Sequence, residues 1–491
     1  MAPTTSPTDP ASSAGSAALE SPWTWARSTY GQGMLGVTVL GLAARGAFLA
    51  YTPLWSDEAF MGVLMRRSMQ EMIDVVHNDN HPPLQYLLVR AATLLGNSAV
   101  TLRLPSVIAG TAAVPLAAAL GRRLGGDRAA ITAGALVALM PLLVLWSRDA
   151  RMYALATTMV LAMALALWRA VERPSAGRLA IYGLTVLVGL YSHYLVALAI
   201  PPQLLAAALF LRPARATLLR VGSVATAAGA ALGPWLIYAA PQFRHAGEPY
   251  WSQPFSIPGV VTRLGYLAAH PGPTTMVVGM ALVAIPALLA LGTLAYRASA
   301  PPERGGMLYL LGCGGFALLL LFLVSLRKPL LDERFLNLYT TELLPPAGVA
   351  LAWTARRGLI VAALALLLVA TGIEVATLAT PQVPSVTAYL DGRVDPSRDA
   401  VALNGPTQYF PVLYYSNPTT RQAVRVVDRA VPWYVGLAAF RPGDIVPTVP
   451  DPARTLYLVT SPDQADPAIP GGRRLTQRSC AGGVCLETWT H

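Results

Sequence analysis

The sequence predicts an all-α polytopic membrane protein with about eleven transmembrane helices and a small C-terminal α/β domain outside the membrane. Of the 491 residues, 54% are hydrophobic and only 12% are charged, whereas a soluble domain carries roughly a quarter charged residues. Apolar stretches of about 20 residues, enough for a helix to cross the hydrocarbon layer, recur from residue 34 to residue 378. The net charge of +11 comes from arginines scattered between these stretches, which is typical of membrane topology and argues against nucleic-acid binding.

The chain divides into three regions. Residues 1–30 are rich in Ser, Thr, Ala and Pro and lack a signal peptide's basic start, which predicts a disordered cytoplasmic tail. Residues 31–380 form the predicted transmembrane domain, and residues 381–491 form the C-terminal domain. The predicted spans are 34–52, 103–121, 128–146, 151–169, 179–192, 194–211, 217–239, 274–296, 307–326, 336–354 and 359–379.

Basic residues in the short loops predict the orientation, because cytoplasmic loops carry the excess of Lys and Arg. Clusters at 122–128, 169–178, 212–220, 297–304 and 356–357 all fall on one side. The N-terminus is then cytoplasmic, and the C-terminal domain lies on the extracytoplasmic side of the plasma (inner) membrane. A disulfide between Cys480 and Cys485 is compatible only with that compartment.

The regions outside the membrane carry short predicted elements. The first outer loop, residues 53–102, is too polar to span and contains amphipathic pieces at 58–73 and 84–96. In the C-terminal domain, alternating segments at 399–404, 423–427 and 455–460 predict strands.

Asp57 and Glu58 follow the first span directly, beside Trp55. A carboxylate at the membrane surface could remove the proton from an acceptor hydroxyl group. Ser56-Asp57-Glu58 equally fits the start of a helix, with a capping serine and acidic residues in the first turn.

A polar segment, residues 77–84, comes later in the same loop. His77, Asp79 and His81 are residue types that bind metal, but the paired prolines and two asparagines also describe a rigid solvated turn before a helix. The turn is the preferred interpretation.

Cationic residues also occupy the predicted outer turns, against the usual charge bias: Arg148, Arg151, His193, Arg327, Lys328 and Arg334. They predict an anionic partner, such as a lipid phosphate held by guanidinium groups. The alternative is pairing with the local Asp149, Asp332 and Glu333, or with ordinary lipid headgroups.

Several segments together resemble the membrane-embedded GT-C glycosyltransferases that include protein O-mannosyltransferases and aminoarabinose transferases (glycosyltransferase family 39). The resembling segments, which cover roughly residues 35–215, are Trp55-Ser56-Asp57-Glu58, His81-Pro82-Pro83-Leu84 with Tyr86, Arg103-Leu104-Pro105-Ser106, Ser147 to Tyr153 and Tyr191-Ser192-His193-Tyr194. Asp332-Glu333-Arg334-Phe335 is similar to a later Arg-Tyr segment of the family, with Phe335 in place of tyrosine.

This resemblance implies a GT-C fold and an inverting glycosyltransferase that uses a polyprenyl-phosphate-linked sugar, with no cofactor and no metal. Asp57 is then the catalytic base, with Glu58 in support, and the cationic residues named above bind the donor phosphate. His81, Tyr153 and Tyr194 are expected to contact substrate. The acceptor is an envelope glycan, lipid or protein reached from the extracytoplasmic side.

Two alternatives remain open. A transporter or flippase for a lipid-linked sugar would use the same phosphate-binding residues without chemistry. Transporters usually contain inverted repeats and polar groups at the membrane midplane, whereas these polar clusters lie at one face and no repeat is detected. A non-catalytic envelope assembly protein would leave the arginine turns without a role.

Overall fold

The fold is known from a computed structural model. It describes residues 27–245, 301–354, 357–377, 383–428, 431–461, 467–481 and 483–491, with a few single positions between 256 and 296. Residues 1–26 of the predicted tail and nearly all of the predicted span 274–296 lie outside the described residues.

The described part of the transmembrane domain is helical. Its α-helices are α1 (Thr29–Gly46), α2 (Ser56–Leu64), α3 (Met69–Asn78), α4 (Leu84–Ala92), α5 (Ala99–Leu139), α6 (Pro141–Ser147), α7 (Tyr153–Glu172), α8 (Ala176–Ser192), α9 (Ile200–Ala206), α10 (Arg215–Ala231), α11 (Gly233–Tyr238), α12 (Pro301–Ser325), α13 (Glu333–Thr340), α14 (Leu344–Thr354) and α15 (Arg357–Thr377). Shorter 3-10 or π turns lie at Thr93–Leu95, Tyr194–Ala199, Ala207–Leu211, Ala240–His245 and Thr341–Leu343.

Five described stretches are long and apolar enough to cross a membrane, and they confirm a multi-pass protein. They are Ala99–Leu139, Tyr153–Glu172, Tyr194–Leu211, Arg215–Tyr238 and Glu303–Ser325. Shorter apolar helices lie at Leu84–Leu95, Ala176–Ser192 and Ile360–Ile373. The total of eleven spans remains a prediction.

The longest stretch, α5, corresponds to two predicted spans rather than one. Its helical conformation is broken at Gly125 and Gly126, and Gly126 has a φ of 74°, a backbone conformation that glycine adopts without steric cost. The two arms pack against each other, because a Cβ built on Gly121 would lie 2.8 Å from the Cβ of Ala133. The chain therefore reverses at the glycine pair, where the sequence predicts a basic loop.

The first outer loop folds into helices α2, α3 and α4. The predicted piece at 84–96 corresponds to α4 and the 3-10 turn after it, whereas the piece predicted at 58–73 is divided between α2 and α3, which are separated at residues 65–68. Helix α3 begins with a capping box in which Ser68 and Glu71 bond to each other's backbone N–H groups. The α2 face that carries Ala59, Phe60 and Met61 is buried, so the loop is a packed layer at one end of the bundle.

The C-terminal domain is α/β, as predicted. It comprises α16 (Val383–Leu390), β1 (Ala400–Asn404), α17 (Tyr409–Tyr415), α18 (Pro418–Ala423), β2 (Val424–Val427), β3 (Ile445–Val446), β4 (Thr455–Thr460), β5 (Arg474–Ala481) and β6 (Val484–Thr490), with 3-10 turns at Trp433–Val435 and Leu437–Ala439. The sheet order is β3-β2-β1-β4-β6-β5, parallel from β3 to β4 and antiparallel from β4 to β5. Cys480 and Cys485 are opposite each other on β5 and β6 and form a disulfide.

The C-terminal domain packs directly on the first outer loop through α17. Phe60 and Phe410 meet edge to face with ring centroids 5.1 Å apart. The backbone N–H of Leu54 donates to the Tyr415 hydroxyl at 2.8 Å, and Arg66 donates to the carbonyl of Tyr414 at 2.8 Å. The domain therefore covers the α2 end of the bundle.

Helices α5 and α14 pack so closely at Gly348 that a single added methyl group tests the contact. A Cβ on Gly348 would lie 2.6 Å from the Ala133 Cα and 2.7 Å from its backbone nitrogen. Because backbone cannot move aside cheaply, Gly348→Ala should destabilise the protein by about 1–3 kcal/mol. Thermal unfolding in detergent measures this. Gly358→Ala is the matched control, since a Cβ there meets nothing within 4 Å; equal melting temperatures for the two variants would contradict the close packing.

Candidate active site

Asp57 lies in the first turn of α2, at the junction of the outer loop and the transmembrane helices. Ser56 is the first helical residue, and no side chain caps the helix, so the serine does not act as the capping residue that the sequence allowed. The Asp57 side chain is 33% exposed, and its Oδ2 lies 3.9 Å from Nη1 of Arg334. A partly accessible carboxylate therefore faces a cation from a distant segment of the chain.

Glu58, by contrast, is fully engaged inside the protein. It is 1% exposed and pairs with Arg103, whose Nε donates to Oε1 at 2.6 Å. The backbone N–H of Ala150 also donates to Oε1, at 3.0 Å. Glu58 thus holds α2, α5 and the 148–151 turn together, and its predicted supporting role in catalysis remains untested.

Arg334 lies in an aromatic enclosure at the start of α13. Its guanidinium carbon lies 5.4 Å from the ring centroids of Trp55 and Trp146 and 5.9 Å from that of Tyr153. Burial opposes the charge, but Tyr153, Asp332 and Asp57 raise the pKa of Arg334 above its ordinary value. Arg334 is therefore a fixed cation beside Asp57, as expected for a group that binds a phosphate.

Arg151 and His81 form a second hydrogen-bonded pair near Asp57. Arginine can only donate, so its Nη2 donates to Nδ1 of His81 at 3.3 Å, and the histidine proton is on Nε2. Burial lowers the pKa of His81, which keeps the ring neutral. Burial opposes ionisation of the Asp79 carboxyl group, but the charge of Arg151 and the Tyr86 hydroxyl, which donates to Oδ2 at 2.7 Å, hold the pKa of Asp79 below its ordinary value.

His193 lies beside His81 and provides a second neutral imidazole. Its Nδ1 accepts the backbone N–H of Leu195 at 3.1 Å, which fixes the proton on Nε2. Burial and the charge of Arg151 lower the pKa of His193 well below its ordinary value. The rings of His193 and His81 lie 5.5 Å apart, and both offer neutral N–H donors. A neutral donor suits sugar hydroxyl groups as well as phosphate oxygens.

Two other predicted residues, Arg148 and Tyr194, make structural hydrogen bonds. Arg148 donates to the carbonyls of Arg45 and Ala47 at the end of α1, which satisfies unpaired carbonyls there, although its side chain lines the cavity described below. Tyr194 bonds to Gln242 at 2.7 Å, and Gln242 donates to the carbonyl of His81 at 3.2 Å. Tyr194 is therefore linked to the backbone of His81 through Gln242, and its predicted contact with substrate remains a prediction.

Arg327 and Lys328 follow α12 and line neither cavity beside Asp57. Arg327 is exposed to solvent. Their predicted role in binding the donor phosphate remains a prediction.

Two spaces adjoin Asp57. The larger, a cavity of about 510 Å³, is lined by Thr52, Pro53, Leu54, Trp55, Ser56, Glu58, Arg103, Leu145, Trp146, Arg148, Asp149, Arg334, Val383, Thr407, Gln408 and Pro411. The smaller, of about 30 Å³, is lined by Ser56, Asp57, Phe60, Asp79, Asn80, His81, Arg151, Tyr153, Arg334, Phe410, Tyr434, Val435 and Gly436. Ser56 and Arg334 line both, so the Asp57–Arg334 pair lies at their boundary.

Asp149 is a residue of this site that the sequence offered only as a local partner for the arginines. It is 5% exposed, and its Oδ1 accepts from the Trp55 indole at 3.4 Å. Burial and the Glu58 carboxylate raise the pKa of Asp149 well above its ordinary value. Burial therefore favours the neutral form of this carboxyl group, which can both donate and accept hydrogen bonds.

Metal binding is not indicated within the part of the chain that the structure describes. No group of three or more His, Cys, Asp or Glu side chains there lies close enough to hold an ion. His77 packs on the ring of Tyr238, with centroids 4.5 Å apart, whereas His81 faces Arg151.

The fold is shared with solved membrane glycosyltransferases. The apo structure of ArnT from Cupriavidus metallidurans has a TM-score of 0.63 at 13% identity, covering 94% of this chain and 98% of that one. The chain has the GT-C fold. The same transferase bound to undecaprenyl phosphate gives a TM-score of 0.60 at 13% identity, covering 94% of this chain and 98% of that one. The arabinofuranosyltransferase AftD from Mycobacteria gives 0.53 at 18% identity, covering 94% of this chain and 40% of that one.

Sequence comparison agrees with the GT-C assignment. Residues 80–238 match the family described as dolichyl-phosphate-mannose-protein mannosyltransferase. This range contains Arg151 and His193 but neither Asp57 nor Arg334. Comparison with curated proteins gives no match. The resemblance to GT-C transferases predicted from the sequence is confirmed.

The Glu58–Arg103 pair should make a large contribution to stability. Glu58→Gln leaves a buried guanidinium without its countercharge, which should cost about 3–5 kcal/mol. Glu172→Gln is the control, because Glu172 pairs with Arg123 at the surface, where such pairs contribute roughly 0–1 kcal/mol. Thermal unfolding of both variants in detergent measures the difference; an unchanged melting temperature for Glu58→Gln would exclude the structural role.

The titration of Asp332 should affect anion binding at Arg334. Asp332 Oδ1 lies 3.4 Å from Arg334 Nε, and burial, with Glu333 beside it, raises the pKa of Asp332 to about 7. As pH rises through about 7, Asp332 gains a negative charge that offsets Arg334, so affinity for a phosphodiester should fall. A phosphodiester keeps one charge over this range, which leaves the protein as the titrating partner.

The measurement is binding of a short-chain polyprenyl-phosphate sugar between pH 5.5 and 8.5. Asp332→Asn should remove the pH-dependent step and keep the affinity at its low-pH value. A step of the same size in that variant would assign the titration to another group.

Proposed function

We propose that the chain is an inverting glycosyltransferase that moves a sugar from a polyprenyl-phosphate-linked donor to an envelope glycan, lipid or protein. The acceptor is reached on the extracytoplasmic side. The observation that carries this proposal is the Asp57–Arg334 pair at the boundary of two cavities, in a GT-C fold. Support also comes from the similarity to a transferase crystallised with undecaprenyl phosphate.

In the proposed reaction, Asp57 acts as the general base. Its carboxylate takes the proton of the acceptor hydroxyl, and the freed oxygen attacks the anomeric carbon of the donor sugar. The bond from that carbon to the phosphate oxygen breaks, and the electron pair leaves with the polyprenyl phosphate. Attack opposite the leaving group inverts the anomeric configuration, and Asp57 later releases its proton to water.

Arg334 and Arg151 stabilise the departing phosphate. Charge on the phosphate grows as the bond breaks, so cations fixed in place before the reaction lower the barrier without further rearrangement. The three aromatic rings around Arg334 keep water away and restrict its motion. Because phosphate leaves as a stable anion, no second carboxylic acid is required to protonate it.

Asp57→Asn should lower sugar transfer by at least about a thousandfold while donor affinity stays within about twofold. The amide cannot accept the proton but fills the same volume beside Arg334. The assay follows radiolabelled sugar from a polyprenyl phosphate donor into envelope extract, using protein in lipid nanodiscs.

Asp74→Asn is the matched control, since Asp74 is an exposed acid of the same loop that bonds to Gln70. It should retain full activity. Donor movement across liposomes without transfer, equal in wild type and Asp57→Asn, would instead identify a lipid-linked sugar transporter.

A further inference from the structure

One wall of the larger cavity comes from the C-terminal domain, which the proposed chemistry does not use. Thr407, Gln408 and Pro411 lie just after β1, at its carboxyl end. Strand β1 lies between β2 and β4 and is parallel to both. The chain leaves β1 toward β2 on one side and leaves β4 toward β5 and β6 on the other, so the direction of the connections changes between β1 and β4. In parallel α/β sheets, ligands bind at this switch point, outside the carboxyl ends of the strands.

Two tryptophans, Trp55 and Trp146, also line this cavity. Trp55 is 38% exposed, and both ring centroids lie 5.4 Å from the guanidinium carbon of Arg334. Flat indole rings with polar groups beside them suit a ligand that has an apolar C–H face and polar edges. The volume of about 510 Å³ is within the range of sites for small ligands, roughly 300–1,000 Å³.

Two buried polar atoms of this cavity have no protein partner within the described part of the chain. Oδ2 of Asp149 and the indole nitrogen of Trp146 are buried without a hydrogen-bond partner among the described residues. Gln408 precedes α17, and its side chain makes no capping bond. An isoprenoid chain has no hydrogen-bonding groups that could pair with these atoms. Leaving them unpaired beside hydrocarbon costs free energy. A ligand rich in hydroxyl groups would satisfy them.

We propose that the larger cavity is the acceptor subsite and that the acceptor is a carbohydrate, stacked on Trp55 and Trp146 and hydrogen-bonded by Asp149, Thr407 and Gln408. This inference rests on the proposed function and names its acceptor class. The ends of the cavity fit this assignment, because Ser56 and Arg334 also line the smaller space beside Asp57. A sugar hydroxyl at that end lies next to the base, with the donor sugar phosphate on the other side.

The test measures binding to the full-length protein in lipid nanodiscs. The probes are methyl glycosides of mannose, galactose, arabinofuranose and N-acetylglucosamine, with farnesyl alcohol and a threonine peptide for comparison. Quenching of tryptophan fluorescence that is lost in Trp146→Phe reports occupancy of the cavity. We expect at least one methyl glycoside to bind, and neither farnesyl alcohol nor the peptide.

Gln408→Ala should weaken glycoside binding by about tenfold, the effect of one hydrogen bond. Gln422→Ala is the matched control, because Gln422 is exposed on α18 and lines neither cavity. Thr407→Val is a second variant, in which the threonine hydroxyl group is replaced by a methyl group of similar size. Failure of every glycoside to bind, or equal affinity in the Gln408 and Gln422 variants, overturns the inference.

Two further arms separate the possible outcomes. Octyl glycosides of the same sugars that bind more tightly than the methyl glycosides indicate a lipid-borne saccharide, and equal affinities indicate a free glycan; both support a carbohydrate. Sugar transfer onto the peptide instead of the glycosides overturns this inference and leaves the transferase intact. Glycoside binding without any transfer from a polyprenyl phosphate donor refutes the proposed function while the carbohydrate site stands.

Discussion

The buried ion pair between Glu58 and Arg103 is the constraint on which the site depends. Arg103 also donates to the carbonyls of Leu49, Thr52 and Pro53, so one guanidinium organises the whole connection from α1 to α2. That connection ends at Trp55, Ser56 and Asp57. The position of the Asp57 carboxylate is therefore set by its neighbour's ion pair. Since two charges without water are costly to separate, the start of α2 has little freedom to move.

Much of this architecture was predictable because it depends on local patterns. The strands at 399–404, 423–427 and 455–460 follow from alternation of apolar and polar residues and agree with β1, β2 and β4 to within a residue. Arg334 was predicted as a site residue because a basic turn on the outer side violates the usual charge bias. Each of these signals can be read from a single stretch of sequence.

Other features were not predictable, because they depend on contacts between distant residues. Nothing in the sequence pairs Glu58 with Arg103, which lies 45 residues later and looked like an ordinary motif residue. Asp149 looked like a local partner for arginines, yet it faces Trp55 and lines a cavity. Arg327 and Lys328, like Arg334, are basic residues in a predicted outer turn, but they line neither cavity. The charge pattern indicates on which side of the membrane a residue lies, and it does not indicate where its side chain points.

The choice of Asp57 as the base rests on the state of the other acids around the two cavities. Glu58 is held in its ion pair with Arg103, and Asp79 accepts a hydrogen bond from the Tyr86 hydroxyl, which together with the charge of Arg151 keeps the pKa of Asp79 low. Burial and the Glu58 carboxylate raise the pKa of Asp149 well above its ordinary value, which favours the neutral form of this acid. Asp57 is a third exposed, its Oδ2 lies 3.9 Å from Nη1 of Arg334, and it lines the smaller space, while its neighbour Ser56 lines both. A base between donor and acceptor needs this combination, because it must reach the acceptor hydroxyl while a nearby cation holds the leaving phosphate.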